Sequence, residues 1–229
     1  MTPTERAARL ARVSGLYAIV DDAQGRRHDL GAVLEGALAA GVGVVQLRLK
    51  QTRDGEALQR ARWAVERAHA AGALLIVNDR LDLASLAGAD GVHLGADDLA
   101  PECIPTELRR ELLIGLSTHT LDQVRASRSE PVDYIGFGPV FGTRSKTSVY
   151  DARGAAALSR AVEASSRPVV AIGGIDAERL PQIRGSGVAA VAVISALADA
   201  DDPAQAARSL RRLLPPAAPA GDASSALPV

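Results

Sequence analysis

The chain has 229 residues, of which 47% are apolar and only 3% aromatic, and its formal net charge is −1. This length allows one large hydrophobic core, and the balanced charge excludes a broad basic surface for nucleic acid. A single cysteine, Cys103, excludes an internal disulfide framework and predicts a reducing, cytoplasmic setting. No apolar run reaches the roughly 18 residues of a membrane span, so no membrane partner is expected.

Short apolar runs alternate with amphipathic segments along the chain. The runs are apolar on both faces, which is typical of parallel strands that are buried on both sides. Eight strands are predicted, at 16–20, 43–47, 73–77, 91–94, 112–116, 134–137, 168–172 and 189–194. Helices are predicted at 29–40, 54–71, 79–88, 101–110, 120–128, 152–166, 176–185 and 203–214.

This alternation predicts an α/β protein that folds as a single (β/α)8 TIM barrel over residues 15–214. The competing architecture is a doubly wound open sheet, which a glycine-rich turn after the first strand would support. Residues 21–25 read Asp-Asp-Ala-Gln-Gly and do not match such a turn. Residues 1–14 are expected to form an N-terminal arm or a frayed helix, and residues 215–229, rich in Pro and Ala, a disordered tail.

The active site of such a barrel lies at the carboxyl ends of its strands. After the second strand, Gln46, Arg48 and Lys50 alternate with two leucines, which places the three polar side chains on one side. Polar and cationic side chains that point into a barrel are costly unless a ligand or an acid meets them. The pattern therefore indicates a ligand site, and the alternative is a solvated strand end with a surface arginine.

Acidic residues follow the next two strands. Asn78 and Asp79 come after the third strand, and Asp97 and Asp98 come after the fourth. Each aspartate could cap the following helix. Two carboxylates on neighbouring strands are, however, how proteins usually hold Mg²⁺ beside substrate phosphates. His93 lies inside the fourth apolar run, where a hydrogen-bonded core histidine is the expected interpretation.

Ser117 and His119 follow the fifth strand. Ser117 is a candidate for a phosphate contact, and His119 is placed beside the substrate, where it is also a candidate acid–base residue. The same segment can start a helix, because Thr118 or Thr120 precedes Gln123 with the spacing of an N-terminal cap. The two interpretations are compatible.

The remaining loops predict two phosphate sites. Thr143, Ser145 and Lys146 follow the sixth strand and combine two hydroxyls with an ammonium, which suits a diphosphate. Residues 173–174 are Gly-Gly, and Ile194-Ser195 opens a short helix after the eighth strand. Glycines let backbone N–H groups approach a phosphate, and the loops after strands seven and eight form the common phosphate site of this fold.

In these segments the chain resembles the thiamine phosphate synthase family, over about residues 15–214. The individual motifs are short, but their number, order and positions make the set specific. The matching segments are LYAIVD (16–21), QLRLK (46–50), NDR (78–80), ADGVHLG (89–95) with Asp98, GLSTH (115–119), GFGPVF (136–141) with Thr143 and Lys146, AIGG (171–174) and VAVIS (191–195).

The resemblance implies a Mg²⁺-dependent transferase that joins a hydroxymethylpyrimidine diphosphate to a thiazole phosphate or its carboxylate, giving thiamine phosphate and pyrophosphate. It implies a dissociative mechanism, in which pyrophosphate leaves before the thiazole nitrogen attacks a pyrimidine-methyl cation. It assigns Asp79 and Asp98 to Mg²⁺, and Lys50, Ser117 and Lys146 to catalysis. It places Gln46, Arg48, Lys50, Asn78, Ser117, Thr143, Ser145 and Lys146 around the pyrimidine diphosphate, and Gly174, Ile194 and Ser195 at the thiazole phosphate.

Four positions depart from the usual family pattern. Leu49 replaces a glutamate, Ala96 a glutamine, Gly142 a proline and Ser145 a threonine. Two alternatives remain open. A thiazole tautomerase of the same fold would need an acid–base residue at His119 but no metal-held diphosphate, and a non-catalytic ligand-binding barrel is favoured only by Ala96 and Gly142.

Overall fold

The computed structural model describes residues 1–23, 26–142 and 150–214, so the predicted contacts of Thr143, Ser145 and Lys146 lie outside the described residues. Within these ranges, eight parallel strands close into a barrel in chain order, and β8 pairs with β1. The strands are β1 (Gly15–Asp21), β2 (Val44–Arg48), β3 (Leu74–Asn78), β4 (Gly91–Leu94), β5 (Leu113–Thr118), β6 (Tyr134–Phe137), β7 (Val169–Ile172) and β8 (Ala190–Val193). The closed barrel confirms the predicted fold.

Helices alternate with the strands around the barrel. The α-helices are α1 (Pro3–Ala11), α2 (Leu30–Ala39), α3 (Asp54–Ala70), α4 (Leu81–Ala87), α5 (Thr106–Glu111), α6 (Leu121–Ala126), α7 (Gly154–Ala164), α8 (Ser195–Ala198) and α9 (Pro203–Leu213). Two predicted helices differ from the structure. The segment predicted at 101–110 divides into a 3₁₀ turn and α5 around Pro105, and the one at 176–185 contains only a 3₁₀ turn, Leu180–Ile183, with Pro181 in it.

Alternation along the strands separates two sets of buried side chains. One set, which includes Tyr17, Ile76 and Tyr134, fills the barrel interior. The strand residues between them pack against the surrounding helices and form the larger cluster. The first set therefore identifies which strand residues point inward. The same alternation of inward and outward positions continues to the polar residues at the strand ends.

Helix α1 lies at the amino ends of the strands. It begins with a capping box between Thr2 and Glu5, and Arg6 donates to the buried carboxylate of Asp133 at 2.6 and 2.5 Å. An apolar cavity of about 710 Å³ lies beside this helix, and Arg184 is the one charged side chain among the described residues that line it. The predicted site residues lie at the opposite end of the barrel, where the strands end.

Across the described part of the chain, no helix combines the length and apolarity that crossing a membrane would require.

Candidate active site at the mouth of the barrel

The inward-facing positions become polar where the strands reach their carboxyl ends. Asp21 ends β1, Arg48 ends β2 two residues after Gln46, Asn78 ends β3, and Ser117 lies near the end of β5. All five occupy the inward-facing alternate positions of their strands, as the interior cluster does. The predicted alternation after the second strand is therefore present, and the mouth of the barrel is lined by polar and charged groups.

A chain of hydrogen bonds crosses the barrel interior from β2 to β5. Gln46 donates to the hydroxyl of Tyr17 at 2.9 Å, and that hydroxyl lies 3.1 Å from the hydroxyl of Tyr134. The Tyr134 hydroxyl lies 3.2 Å from Nδ1 of His93, whose Nε2 lies 3.0 Å from Oγ of Ser117. The chain thus joins two predicted substrate-binding residues, Gln46 and Ser117, through three buried or half-buried rings.

The two tyrosine hydroxyls of this chain stay protonated. Burial raises the pKa of Tyr17 to about 12 and raises that of Tyr134 well above its usual value, so both hydroxyls keep their protons at neutral pH. Each hydroxyl can therefore both donate and accept a hydrogen bond. The ring of His93 lies between the Tyr134 and Ser117 hydroxyls, and its tautomer sets which ring nitrogen donates.

Two glycines make room for the rings. A Cβ on Gly115 would lie 2.3 Å from Cζ of Tyr134 and 2.4 Å from Nδ1 of His93, which no real side chain tolerates. A Cβ on Gly136 would lie 3.2 Å from Cε1 of His93. The interior of β5 and β6 is therefore shaped to hold the polar chain.

Asp79, Asp98 and Lys50 come together beside the inward-facing polar residues at the mouth of the barrel. Asp79 is the one non-glycine residue with positive φ, 63°, in the described ranges, and its carboxylate forms an ion pair with the ammonium of Lys50. Asp98 accepts a hydrogen bond from the Gly95 N–H at 2.7 Å. Burial, and then hydrogen bonding and repulsion from Asp79, raise the pKa of Asp98. The structure thus brings the two predicted metal ligands into contact.

This carboxylate pair fits a divalent cation. Burial and then the neighbouring Asp79 carboxylate raise the pKa of Asp98, and a cation between the two carboxylates would offset both effects. The N-terminal cap position of α4 is occupied by Arg80, whose side chain makes no capping hydrogen bond. Asp79 lies one residue earlier and is not the helix cap. No group of three or more His, Cys, Asp or Glu is arranged for a metal in the described ranges, so substrate oxygens and water would supply the remaining ligands.

The loop that carries Lys50 is held by Asp22. Its carboxylate accepts hydrogen bonds from the backbone N–H of Lys50 at 2.9 Å, from that of Gln51 at 2.8 Å, and from both the N–H and hydroxyl of Thr52 at 2.8 Å. Burial alone would raise the pKa of Asp22, but these hydrogen bonds outweigh it and lower the pKa below its ordinary value. Asp22 therefore orders the backbone beneath the Lys50 ammonium.

The two loops expected to bind phosphates are in direct contact. Gly173 and Gly174 adopt positive φ, and Phe141 donates from its backbone N–H to the Gly173 carbonyl at 2.9 Å. A Cβ on Gly174 would lie 2.3 Å from the carbonyl oxygen of Gly142. Arg179 donates to the Gly174 carbonyl at 2.9 Å, and its guanidinium lies 5.8 Å from the centre of the Phe141 ring. The turn after β7 is therefore packed against the start of the loop after β6.

Ile194 and Ser195 lie next to this turn. Ile194 is the residue before α8, and Ser195 begins that short helix, as predicted. β7 and β8 are paired as far as Ile172 and Ala192, so the turn at residues 173–174 and the start of α8 follow neighbouring strands at the same end of the barrel.

The ring of His119, directly after β5, contacts Gly138 and Tyr150. Its Nδ1 lies 2.6 Å from the carbonyl oxygen of Gly138, and because a carbonyl only accepts, Nδ1 carries the proton. The ring stacks on Tyr150, with centroids 4.1 Å apart and planes 18° apart. The following helix is capped by Thr120 in a capping box with Gln123. Of the two threonines considered, Thr120 is the cap.

The departures from the family pattern have different surroundings. Leu49 is partly buried and packs against the outer core, and Ala96 is exposed in the turn after β4. Tyr17, Tyr134 and Asp21 line the site but were not predicted from the sequence as site residues. The two tyrosines belong to apolar runs that resemble ordinary core. The one feature of the sequence that could have indicated their role is the hydroxyl group that each carries into a buried strand.

Comparisons with known proteins show the family and the fold of the chain. A family model described as thiamine monophosphate synthase matches residues 16–197. The thiamine-phosphate synthase of Anaeromyxobacter dehalogenans (strain 2CP-C) is 43% identical over 206 residues, which cover 90% of each chain. That of Synechococcus sp. (strain WH7803) is 45% identical over 181 residues, which are 79% of this chain and 51% of that longer protein. The solved thiamine phosphate pyrophosphorylase from Pyrococcus furiosus superimposes with a TM-score of 0.80 at 32% identity, covering 89% of this chain and 96% of that one.

Proposed function

Since the chain belongs to the thiamine monophosphate synthase family, we propose that the mouth of its barrel is the active site and that the residues described there carry out the transfer. The protein is a transferase of thiamine biosynthesis, which joins the pyrimidine diphosphate to the thiazole phosphate and releases pyrophosphate. We further propose that it works in the cytoplasm, which is consistent with its single cysteine.

The observation that carries this assignment is the cluster of Asp79, Asp98 and Lys50 beside the inward-facing Arg48. A diphosphate needs several positive charges, and a pair of carboxylates is useful there only if it holds a cation. Asp79 and Asp98 would hold Mg²⁺ together with substrate oxygens and water. When bound, Mg²⁺ neutralises charge on the diphosphate and so makes pyrophosphate a better leaving group.

The side chains around this cluster bind and orient the pyrimidine diphosphate in the proposal. Gln46 is fixed by its hydrogen bond to Tyr17, so its amide presents a defined edge to the pyrimidine ring. Ser117 is oriented by His93 and directs its proton to a phosphate oxygen. Arg48 and Asn78 lie at the ends of β2 and β3 at the same level of the mouth. Lys146, Thr143 and Ser145 are assigned to the same diphosphate from the sequence pattern.

The reaction proposed for these residues is dissociative. The bond between the pyrimidine methylene carbon and the diphosphate oxygen breaks first, and the electron pair leaves with pyrophosphate. The ammonium and guanidinium groups of Lys50, Lys146 and Arg48 are suited to the charge that develops on the leaving oxygen. The thiazole nitrogen then attacks the pyrimidine-methyl cation. The backbone at Gly174, Ile194 and Ser195 is proposed to hold the thiazole phosphate on the neighbouring side.

The tautomerase alternative depends on His119. Its Nδ1 donates to the Gly138 carbonyl and its ring is stacked on Tyr150, so its contacts orient the ring and the loop. A tautomerase would have no use for the carboxylate pair at Asp79 and Asp98. The synthase is therefore the function that accounts for more of the site.

The test compares Lys50→Met with Arg60→Met in a pyrophosphate-release assay that contains both substrates and Mg²⁺. Arg60 is a matched control, because it is an exposed cation that pairs with Glu56 on α3, away from the mouth. We expect Lys50→Met to lower kcat at least tenfold and Arg60→Met to leave it within twofold. Equal activity in both variants would remove the Lys50 cluster from the site, and an inactive wild type would remove the function.

A further inference from the structure

Asp21 is a buried carboxylate at the mouth of the barrel. It is the last residue of β1, it faces inward, and the strand register places it directly beside Arg48 of β2. Its side chain is 1% exposed, and neither carboxylate oxygen has a hydrogen-bond partner in the described part of the chain. Because burying a carboxylate without hydrogen bonds is costly, its negative charge requires an explanation.

The buried aspartates at the other end of the barrel are different. Asp133 accepts hydrogen bonds from Arg6 and from the backbone N–H of Ile114, at 2.7 Å for the latter. Asp90 accepts from the Leu75 N–H at 2.9 Å. Those two carboxylates have clear structural roles that connect α1 and the loops to the strands. Asp21 makes no such bond to any described backbone group.

Two guanidinium groups flank Asp21. Arg26 lies 3.7 Å from its Oδ2 and Arg48 lies 3.9 Å from the same oxygen. Arg26 is already paired with Asp199 at 2.9 Å. Arg48, in contrast, has Asp21 as its ion-pair partner in the described ranges, and its side chain is 18% exposed at the mouth. Asp21 therefore attracts both guanidinium groups, and Arg48 is the one of the two that has no second carboxylate partner among the described residues.

We propose that Asp21 is a positioning residue that holds the guanidinium of Arg48 toward the diphosphate of the pyrimidine substrate. This inference rests on the proposed function, in which Arg48 contacts that diphosphate. Arginine is long and loses much side-chain entropy when it is ordered, so a nearby counter-ion reduces the cost of ordering it on binding. At 3.9 Å the pair is attractive but makes no direct hydrogen bond, so the N–H groups of Arg48 remain able to bind phosphate oxygens in a bidentate manner.

The test combines Asp21→Asn, Arg48→Gln and the double variant, with Asp133→Asn as the matched control for loss of a buried carboxylate. Steady-state pyrophosphate release gives kcat and the KM of each substrate, and calorimetry gives the affinity for inorganic pyrophosphate with Mg²⁺. Urea unfolding of each variant shows that it is folded. We expect Asp21→Asn to raise the KM for the pyrimidine diphosphate and to weaken pyrophosphate binding about tenfold, with the thiazole KM changed less than twofold.

The double variant separates positioning from a general structural role. If Asp21 acts through Arg48, Asp21→Asn has no further effect in the Arg48→Gln background. Asp133→Asn should lower stability without a selective change in the KM for the pyrimidine diphosphate. Additive losses, or wild-type pyrophosphate affinity in Asp21→Asn, would overturn the inference while an active wild type leaves the proposed function standing. If the wild type does not turn over, the proposed function fails, and pyrophosphate affinity alone decides the role of Asp21.

Discussion

The hydroxyl of Tyr134 is the central link of the polar chain, and Tyr134→Phe removes that oxygen and nothing else. The oxygen lies 3.1 Å from the Tyr17 hydroxyl and 3.2 Å from Nδ1 of His93, inside the barrel. In the variant the ring keeps its place, the Tyr17 hydroxyl loses its contact with the Tyr134 oxygen, and Nδ1 of His93 loses the hydroxyl that faces it.

The magnitude follows from these two bonds. A buried hydrogen bond contributes about 0.5–1.5 kcal/mol, and a buried polar group left unpaired costs about 1–3 kcal/mol. The variant also no longer buries a hydroxyl of its own, which offsets part of the loss. We therefore expect the free energy of unfolding to fall by about 1–2 kcal/mol. Ser117 is then less well oriented, so kcat/KM for the pyrimidine diphosphate should fall about tenfold, equivalent to about 1.4 kcal/mol.

Urea unfolding and pyrophosphate release measure the two effects separately. Ser117→Ala and the double variant provide the control, because a chain that acts through Ser117 should give losses in activity that are not additive. Lower stability with unchanged activity would show that the chain only supports the fold. Additive losses in activity would show that Tyr134 does not act through Ser117.

Four further changes test other parts of the account. Asp98→Asn should raise the Mg²⁺ concentration for half-maximal activity at least tenfold with an unchanged circular dichroism spectrum, and an unchanged requirement would remove Asp98 from the metal site. Gly174→Ala should raise the KM of both substrates, because its Cβ would lie 2.3 Å from a carbonyl oxygen of the loop after β6. The control is Gly72→Ala, which has a similar φ but no atom near the added Cβ and should cost only about 1–2 kcal/mol of stability. A rise in the KM of one substrate alone would contradict the inference that the loops after β6 and β7 act together. His119→Ala should lower synthase activity less than tenfold, and a dead variant would mean that His119 takes part in the chemistry. The lowered pKa of Asp22 means that its carboxylate stabilises the fold above the ordinary value of about 3.9, and that this contribution is lost as the pH falls through the lower folded value. Asp22→Asn should therefore be less stable than the wild type at pH 7 and approach it once the pH falls below the lowered pKa of the folded state, and a pH-independent difference would contradict this role.

The barrel was predictable because its strands are buried on both faces and so appear as continuous apolar runs. Helix boundaries were harder to predict where proline interrupts an amphipathic pattern. Pro105 divides one predicted helix, and around Pro181 only a 3₁₀ turn is formed. In both places the periodicity was present, but the missing backbone N–H of proline determined the local structure.

Parts of the candidate site could be predicted where the alternation of side chains along a strand, or the position of a loop after a strand, was enough to place a residue. Gln46 and Arg48 were predicted from alternation along a single strand, and Ser117 from its position after the fifth strand. The contact between Asp79 and Asp98 depends on how the loops after β3 and β4 meet, and the position of Asp21 beside Arg48 depends on strand register. Neither property is encoded within one segment, because each arises when neighbouring strands pair.

The most direct test of the central claim is to incubate the purified protein with the pyrimidine diphosphate, the thiazole phosphate and Mg²⁺, and to measure products by mass spectrometry. The account predicts thiamine phosphate and pyrophosphate in equal amounts, with formation abolished by a chelator and restored by added Mg²⁺. Absence of thiamine phosphate under these conditions, or isomerisation of the thiazole in its place, would contradict it.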